Sequence, residues 1–273
     1  EGPPPARRDD TPPGMVHWAS ITAPEVASTP ELVARGARLY DQRCSACHGA
    51  KGDGQGPAAL FLQTAPRDFT RLIFKFRTTL GFPADLDLYR SVRSGFPAHG
   101  MPSFDFLSSE ETWALVHRVK HLARSGWMAR MERRSGATFD RAAALALVEK
   151  KMTPGEAVVV GPEPPEDDGP AEEIVARGRA LYVANCQKCH GETGRGDGPS
   201  APTLEDEWGH AILPRDFGES PAYRKAGWRR ADTARIVRAG IGGTPMPAHP
   251  QLSDRDLWDL ARYVEELARL SRE

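Results

Sequence analysis

The sequence predicts an all-α fold built from two tandem copies of one small helical domain. A length of 273 residues suits two domains. Matched residues at 34–57 recur in the same order and at the same spacing at 176–199, which indicates an internal repeat. Apolar residues follow helical periodicity in both copies, and the single β-branched run, Val158–Val160, is followed at once by glycine, prolines and acidic residues.

Composition excludes several classes of protein. Apolar residues make up 40% of the chain, which is enough to form cores. The longest apolar run, Ala142–Val148, is far shorter than the ~18 residues that a membrane span needs. A net charge of −1 argues against a nucleic-acid partner. The chain starts at Glu1 without a methionine or an apolar leader, so we expect a mature, exported protein with its signal peptide removed.

The repeat divides the chain into four regions. Residues 1–29 are proline-rich and charged, and are predicted to form an extended N-terminal arm, either a frayed terminus or an arm that grips a partner. Residues 30–125 form the first domain and residues 171–273 the second. Between them, residues 126–170 form a linker with one alanine-rich helix over Phe139–Lys151, followed by a stiff, proline-rich connector.

Each copy is predicted to contain three main helices. Apolar stripes define the first and middle helices, and serine caps followed by acidic residues mark the start of the last helix. The first helices are predicted at Pro30–Gln42 and Glu172–Ala184, the middle helices at Leu86–Ser94 and Thr233–Arg238, and the last helices begin after Ser108 or Ser109 and after Ser253.

All four cysteines lie in two Cys-x-x-Cys-His motifs. The motif residues are Cys44, Cys47 and His48 in the first copy and Cys186, Cys189 and His190 in the second. A Cys-x-x-Cys pair alone fits a redox disulfide or half of a zinc site. A histidine directly after the second cysteine is the signature of covalent c-type haem attachment, in which the thiols form thioethers and the imidazole binds the iron. Two copies in matched surroundings favour two haem c groups.

With these motifs, both copies resemble class I (mitochondrial-type) cytochrome c domains, and the whole chain resembles a bacterial dihaem cytochrome c. The resemblance covers residues of about 30–125 and 171–270, and it includes a Met-Pro pair towards the end of each copy. It implies that the first and last helices of each domain cross. The residues expected at these crossings are Gly36, Tyr40 and Trp113 in the first domain and Gly178, Tyr182 and Trp258 in the second.

The resemblance also implies the iron ligands. The proximal ligands are His48 and His190, and the distal ligands are Met101 and Met246. The second ring nitrogen of each histidine needs a hydrogen-bond acceptor, for which the backbone carbonyls of Pro57 and Pro199 are expected. His99, two residues before Met101, is an alternative ligand that would lower the potential of the first haem.

A Pro-Arg-Asp-Phe motif recurs at residues 66–69 and 214–217. Its arginines, Arg67 and Arg215, are expected to bind haem propionates, because a guanidinium offers five donors in a fixed fork. Asp68 and Asp216 would hold these arginines in place. The alternative is a surface Arg-Asp pair that closes a loop.

An iron with histidine and methionine ligands has no open coordination position, which favours electron transfer over catalysis. The sequence therefore predicts a periplasmic relay, not an enzyme, that passes single electrons between a redox protein donor and an acceptor. The relay is either free or a subunit of a multi-subunit respiratory oxidoreductase. The rival hypothesis is a dihaem enzyme, either peroxidase-like or thiosulfate-oxidising, in which one haem departs from histidine–methionine ligation.

Overall fold

The computed structural model describes residues 17–165, 169–219, 227 and 229–271. The described part is mainly helical and contains two small helical domains, as the sequence predicts. Within it, no helix combines the length and the apolar character needed to cross a bilayer. The first 16 residues of the predicted arm lie outside the described residues.

In the first domain, the first and last helices begin at capping side chains. Thr29 accepts a hydrogen bond from the Leu32 amide at 3.2 Å, and Pro30 occupies the first turn. Ser108 and Glu111 form a reciprocal capping box at the last helix. The helices are α1 (Pro30–Arg43), α2 (Ser45–His48), α3 (Asp85–Ser94) and α4 (Ser109–Ser135).

The second domain repeats this order. Its last helix starts with a capping box between Ser253 and Asp256. The helices are α6 (Ala171–Asn185), α7 (Gln187–His190), α8 (Arg230–Ala239) and α9 (Asp254–Leu270). All six main helices predicted for the two domains are thus present, with ends within a few residues of the expected positions.

The first and last helices of each domain cross at a glycine. A Cβ atom on Gly36 would lie 2.0 Å from the carbonyl oxygen of Ala114 in α4. A Cβ atom on Gly178 would lie 2.3 Å from the carbonyl oxygen of Asp259 in α9. Because only glycine permits so close an approach of two backbones, these positions confirm the helix contacts expected for both domains.

The linker differs from the prediction at its start. Helix α4 continues to Ser135, beyond the expected domain boundary at residue 125. Helix α5 (Arg141–Met152) packs against this extension, where Ala144 and Val148 form a small core with Trp127 and Met128. The first half of the linker is therefore part of the first domain.

The structure also contains two short strands, for which the sequence shows no convincing pattern. Strand β1 (Thr79–Gly81) pairs antiparallel with β2 (Pro154–Ala157), with Thr79 opposite Ala157. Three or four residues, including glycine or proline, are too few to produce the apolar alternation by which a strand is recognised.

The proline-rich connector is bound to the second domain. The amide of Gly161 donates to Asp254 at 3.0 Å, and its carbonyl accepts from the Trp258 indole at 3.0 Å. Arg262 donates to the carbonyl of Pro164 at 2.8 Å. Residues 161–165 of the connector therefore lie along α9.

The two domains contact each other directly. Arg77 of the first domain donates to the carbonyl of Ala239 at 3.1 Å. A Cβ atom on Gly242 would lie 2.3 Å from the Phe74 carbonyl oxygen, so the backbones of the two domains are in close contact there. We call this boundary, formed by residues 73–77 and 239–243, the interdomain contact.

Candidate haem-binding sites

Each Cys-x-x-Cys-His motif forms one short helical turn directly after the first helix of its domain ends. Helices α1 and α6 end at Cys44 and Cys186, and the rest of each motif forms α2 or α7. Side chains three and four positions apart share one face of a helical turn, so each turn carries two thiols and an imidazole together. Burial raises the pKa of Cys44 to about 12 and that of Cys186 to about 11. The free polypeptide therefore keeps the thiols of Cys44 and Cys186 protonated.

The proximal histidines are held in one orientation. The Nδ1 atom of His48 lies 3.1 Å from the carbonyl oxygen of Arg67, and its ring stacks on Phe69 with centroids 4.8 Å apart. In the second copy, His190 Nδ1 lies 3.3 Å from the Arg215 carbonyl, and its ring stacks on Phe217 at 4.8 Å. Since a carbonyl only accepts, Nδ1 carries the proton and the lone pair of Nε2 is left for a metal.

This arrangement fits a haem. Burial lowers the pKa of His48 and of His190, so both rings are held in the neutral form that binds iron. In both copies, the thiols, the oriented imidazole and the stacked phenylalanine have the same relation to one another.

The acceptors of the histidine N–H groups correct the sequence prediction. They are the carbonyls of Arg67 and Arg215, not those of Pro57 and Pro199, whose residues are exposed. The Pro-Arg-Asp-Phe segment folds over the imidazole in each copy. Its repetition was visible in the sequence, but a contact made by a main-chain carbonyl leaves no side-chain signal.

A tyrosine ties each first helix to the loop that follows its motif. The Tyr40 hydroxyl donates to the carbonyl of Gly49 at 2.7 Å, and that of Tyr182 donates to Gly191 at 2.6 Å. Both side chains are almost fully buried. Sequence analysis placed these tyrosines at the helix crossing but missed this contact; the signal was their recurrence four residues before the first cysteine.

The Met-Pro loops also match. Phe96 and Met101 close the first loop through an amide–carbonyl bond of 2.8 Å, and Ile241 and Met246 close the second through one of 3.2 Å. Met101 packs on the same core as Cys44, and Met246 packs on the same core as Cys186. The structure thus brings each methionine to the core of its own motif, while iron ligation by both stays a prediction.

His99 occupies the position in its loop that Thr244 occupies in the second. Its Nε2 atom lies 3.4 Å from a guanidinium nitrogen of Arg215. The ring of His99 therefore faces the second domain.

The two repeated arginines reach across the domain boundary. The Arg67 guanidinium lies 4.2 Å above the ring of Trp208 in the second domain, and Arg215 contacts His99 of the first domain. Burial lowers the pKa of Arg67 to about 10. Burial and the charge of Arg67 lower the pKa of Lys75 to about 8. Two desolvated cations therefore lie close together beside the first haem site.

The aspartates of the repeated motif do not hold these arginines as expected. Asp68 accepts from the amide and hydroxyl of Thr70, at 2.9 and 2.6 Å. Asp216 accepts from the amide of Gly218 at 2.7 Å. Both close their own loops, as aspartates do in tight turns.

The family model described as "Cytochrome C oxidase, cbb3-type, subunit III" matches residues 31–117 and 173–264, once in each domain. The chain belongs to this family. The double match identifies it as a c-type cytochrome with two covalently bound haem c groups and supports its role as an electron-transfer haem protein.

Two curated relatives are thiosulfate dehydrogenases. The one from Allochromatium vinosum is 32% identical over 163 residues, which cover 53% of this chain and 56% of the relative. The one from Stutzerimonas stutzeri is 28% identical over 109 residues, which cover 40% of this chain and 31% of the relative. The chain thus aligns with about half of the first relative and about a third of the second.

A solved structure is similar over almost the whole chain. It is a chain of the Kuenenia stuttgartiensis reducing HAO-like protein complex, with 32% sequence identity and a TM-score of 0.70. The superposition covers 90% of this chain and 99% of that chain. Together with the names of the two curated relatives, this likeness overturns the expectation that the protein is not an enzyme. The expected methionine ligands leave no open coordination position on the irons, but that alone does not exclude catalysis.

Proposed function

We propose that this protein is a dihaem cytochrome c that oxidises a small sulfur oxyanion of the thiosulfate class and passes the electrons singly to a protein acceptor. The names of two relatives support the substrate class. The observation that carries the proposal is the pair of partly buried cations, Arg67 and Lys75. Burial lowers the pKa of each, and it outweighs the opposing charges of Asp206 on both and of Asp68 on Arg67. Positive charge that is only partly compensated favours an anionic ligand.

The stoichiometry of such a reaction suits two haems. Two thiosulfate dianions that join through a new S–S bond form one tetrathionate dianion and release two electrons and no protons. Each haem c, when bound, supplies one reversible one-electron site. The duplication of one domain within the chain would thus provide for both electrons of a turnover.

The residues of the chain have distinct tasks in this proposal. The four cysteines hold the haems, and the Arg67 and Arg215 carbonyls fix the tautomer of the proximal histidines. We assign the distal positions to Met101 and Met246, as in class I domains, and the propionates to the guanidinium groups of the two arginines. Lys75 is the cation that would attract the substrate.

Thiosulfate oxidation by the purified holoprotein, with ferricyanide as acceptor, tests the proposal. One tetrathionate should form for every two ferricyanide ions reduced. Lys75→Gln should raise KM several-fold with little change in kcat, because it removes charge that attracts substrate. Lys150→Gln, an exposed lysine on α5, is the control. If the optical bands show that dithionite reduces the haems and thiosulfate does not, the proposed substrate is refuted.

A second candidate role is that of a subunit in a larger haem enzyme complex. It is favoured by the likeness that covers 99% of a chain from a solved protein complex. In both roles we place the protein in the periplasm, where bacteria attach haem to this motif. Size-exclusion chromatography of the native protein from its own cells would separate a free oxidoreductase from a subunit, which would elute with partner proteins.

A further inference from the structure

A short segment ahead of the first domain contacts both domains. It comprises residues 17–26, and its first two side chains are almost completely buried: His17 is 7% exposed and Trp18 is 2% exposed. A large aromatic side chain so deeply buried within a predicted arm shows that this part of the arm is packed and not frayed. We call residues 17–26 the tie segment.

Trp18 contacts both domains. Its indole nitrogen donates to the Ser91 hydroxyl in α3 at 3.1 Å. The guanidinium carbon of Arg90 in α3 lies 5.3 Å from the centre of the Trp18 ring, and that of Arg235 in α8 lies 5.0 Å from it. Arg90 and Arg235 are both the sixth residue of their helices. One indole thus makes cation–π contacts with equivalent arginines of the two domains.

His17 adds a buried contact with the second domain. Its Nε2 atom lies 2.7 Å from the Oδ2 atom of Asp232, the third residue of α8, which is 2% exposed. The equivalent residue of α3, Asp87, accepts from the Thr78 and Ala84 amides of its own domain. Asp232 likewise accepts from the amide just before its own helix, that of Arg229. The two carboxylates differ in their other partner, which is Thr78 of the same domain for Asp87 and the tie segment for Asp232.

The rest of the tie segment is anchored to the first domain. Arg90 donates to the carbonyl of Ile21 at 2.9 Å. The Nε2 atom of His117, on α4, lies 2.7 Å from the carbonyl of Val26. The segment is thus fixed to α3 and α4, and its His17–Trp18 end reaches α8.

We propose that the tie segment is an interdomain tie and that Trp18 and His17 are positioning residues, which hold the two haem domains in the arrangement needed for electron exchange. The interdomain contact and the contacts of Arg67 with Trp208 and of Arg215 with His99 also join the domains. The tie adds to them a buried aromatic side chain and a buried His–Asp pair. The inference depends on the two haems and not on the substrate, so it stands or fails separately from thiosulfate oxidation.

Hydrogen exchange on the holoprotein tests the tie. Trp18→Ala should increase exchange at residues 73–77 and 239–243, the interdomain contact, by on the order of 100-fold, because truncating a buried tryptophan shifts such an equilibrium by that amount. Exchange at the α1–α4 and α6–α9 crossings should stay unchanged. The rate of electron exchange between the haems should fall, while the optical spectrum of each haem is retained.

Trp18→Phe is the conservative variant, since it keeps a ring between the arginines and loses the bond to Ser91. It should restore most of the protection and of the interhaem electron exchange. Unchanged exchange at residues 239–243 in Trp18→Ala would overturn the proposal, as would an increase of equal size at both helix crossings. If Trp18→Ala yields no holoprotein, His17→Ala, which removes the contact with Asp232, decides: faster exchange at residues 239–243 supports the tie, and wild-type exchange overturns it.

Discussion

The two domains agree in the residues that surround the haem motif and differ in those that contact the rest of the chain. Both have a glycine at the helix crossing, a tyrosine bound to the first loop carbonyl and a phenylalanine stacked on the histidine. Outside this shared set, α4 is extended and covered by α5, whereas α9 is covered by the connector. The haem therefore constrains one part of the sequence, and the linker and tie segment constrain the other.

The tryptophans of the last helices illustrate the difference. Trp113 is completely buried, its ring lies 4.8 Å from that of Tyr89, and among the described residues its indole nitrogen has no hydrogen-bond partner. The indole nitrogen of Trp258 donates to the carbonyl of Gly161 in the connector. The same residue type at the same helical position packs a core in one domain and binds a linker in the other.

Removal of one haem should produce the largest difference in stability between the two domains. Replacing Cys186 and Cys189 by alanine should leave the second domain unfolded while the first domain keeps its haem, because a polypeptide core of about 100 residues without its central group is too small to be stable. Intact mass and circular dichroism would follow haem loss and helix loss. The reciprocal Cys44/Cys47 variant is the control; a protease-resistant second domain in the Cys186/Cys189 variant would contradict the account.

The helix crossings should respond alike to added bulk. Gly36→Ala and Gly178→Ala each place a methyl group within 2.3 Å of a backbone carbonyl oxygen, and each should lower the free energy of unfolding by about 2 kcal/mol. Denaturant unfolding of the holoprotein measures the change. Arg38→Ala and Arg179→Ala, at exposed positions of α1 and α6, are the controls and should change stability little. A marked difference between the two glycine variants would show that the crossings are not equivalent.

The tryptophans of the two last helices should differ in how much they stabilise the protein. Trp113→Phe and Trp258→Phe remove the same ring atoms, but only the latter breaks the bond to Gly161. The Trp258 variant should therefore lose about 1 kcal/mol more stability. It should also open the connector to proteases, which gel electrophoresis of timed digests would show. Equal losses in the two variants would mean that the connector is not held by this bond.

Acid should weaken the contact between the tie segment and α8. Burial alone would raise the pKa of Asp232, but the hydrogen bond and charge of His17, the charge of Arg235 and the Arg229 amide keep that pKa below its ordinary value of 3.8. The stabilisation by ionised Asp232 is therefore complete above about pH 3.8 and is lost as pH falls below it. Unfolding of wild type and Asp232→Asn across this range should show a stability difference that shrinks with acidity; a constant difference would exclude this linkage.

Local patterns in the sequence were sufficient to predict the helices and the haem motifs. Ser108 and Ser253 mark helix starts by chemistry that acts within four residues. The Cys-x-x-Cys-His spacing follows from covalent chemistry on one helical turn. These features were predicted because each depends on side chains that are neighbours in the chain.

The missed features depend on main-chain atoms or on distant residues. The Arg67 and Arg215 carbonyls are backbone acceptors and need no particular side chain. His17 and Asp232 are 215 residues apart and are brought together only by the packing of two domains. The proposed enzymatic role was missed for another reason: the iron ligands predicted from Met101 and Met246 say nothing about where a substrate binds.

We propose that the likeness of the two haem sites extends to their iron ligands, His48 with Met101 and His190 with Met246. A redox titration of the native holoprotein, followed in the optical spectrum, tests this equivalence. We expect two one-electron steps, with the weak methionine–iron band at the red edge of the oxidised spectrum shared by both haems, and half of it lost in Met101→Ala. If Met101→Ala leaves the band and both potentials unchanged, Met101 is not a ligand and the two sites are not equivalent.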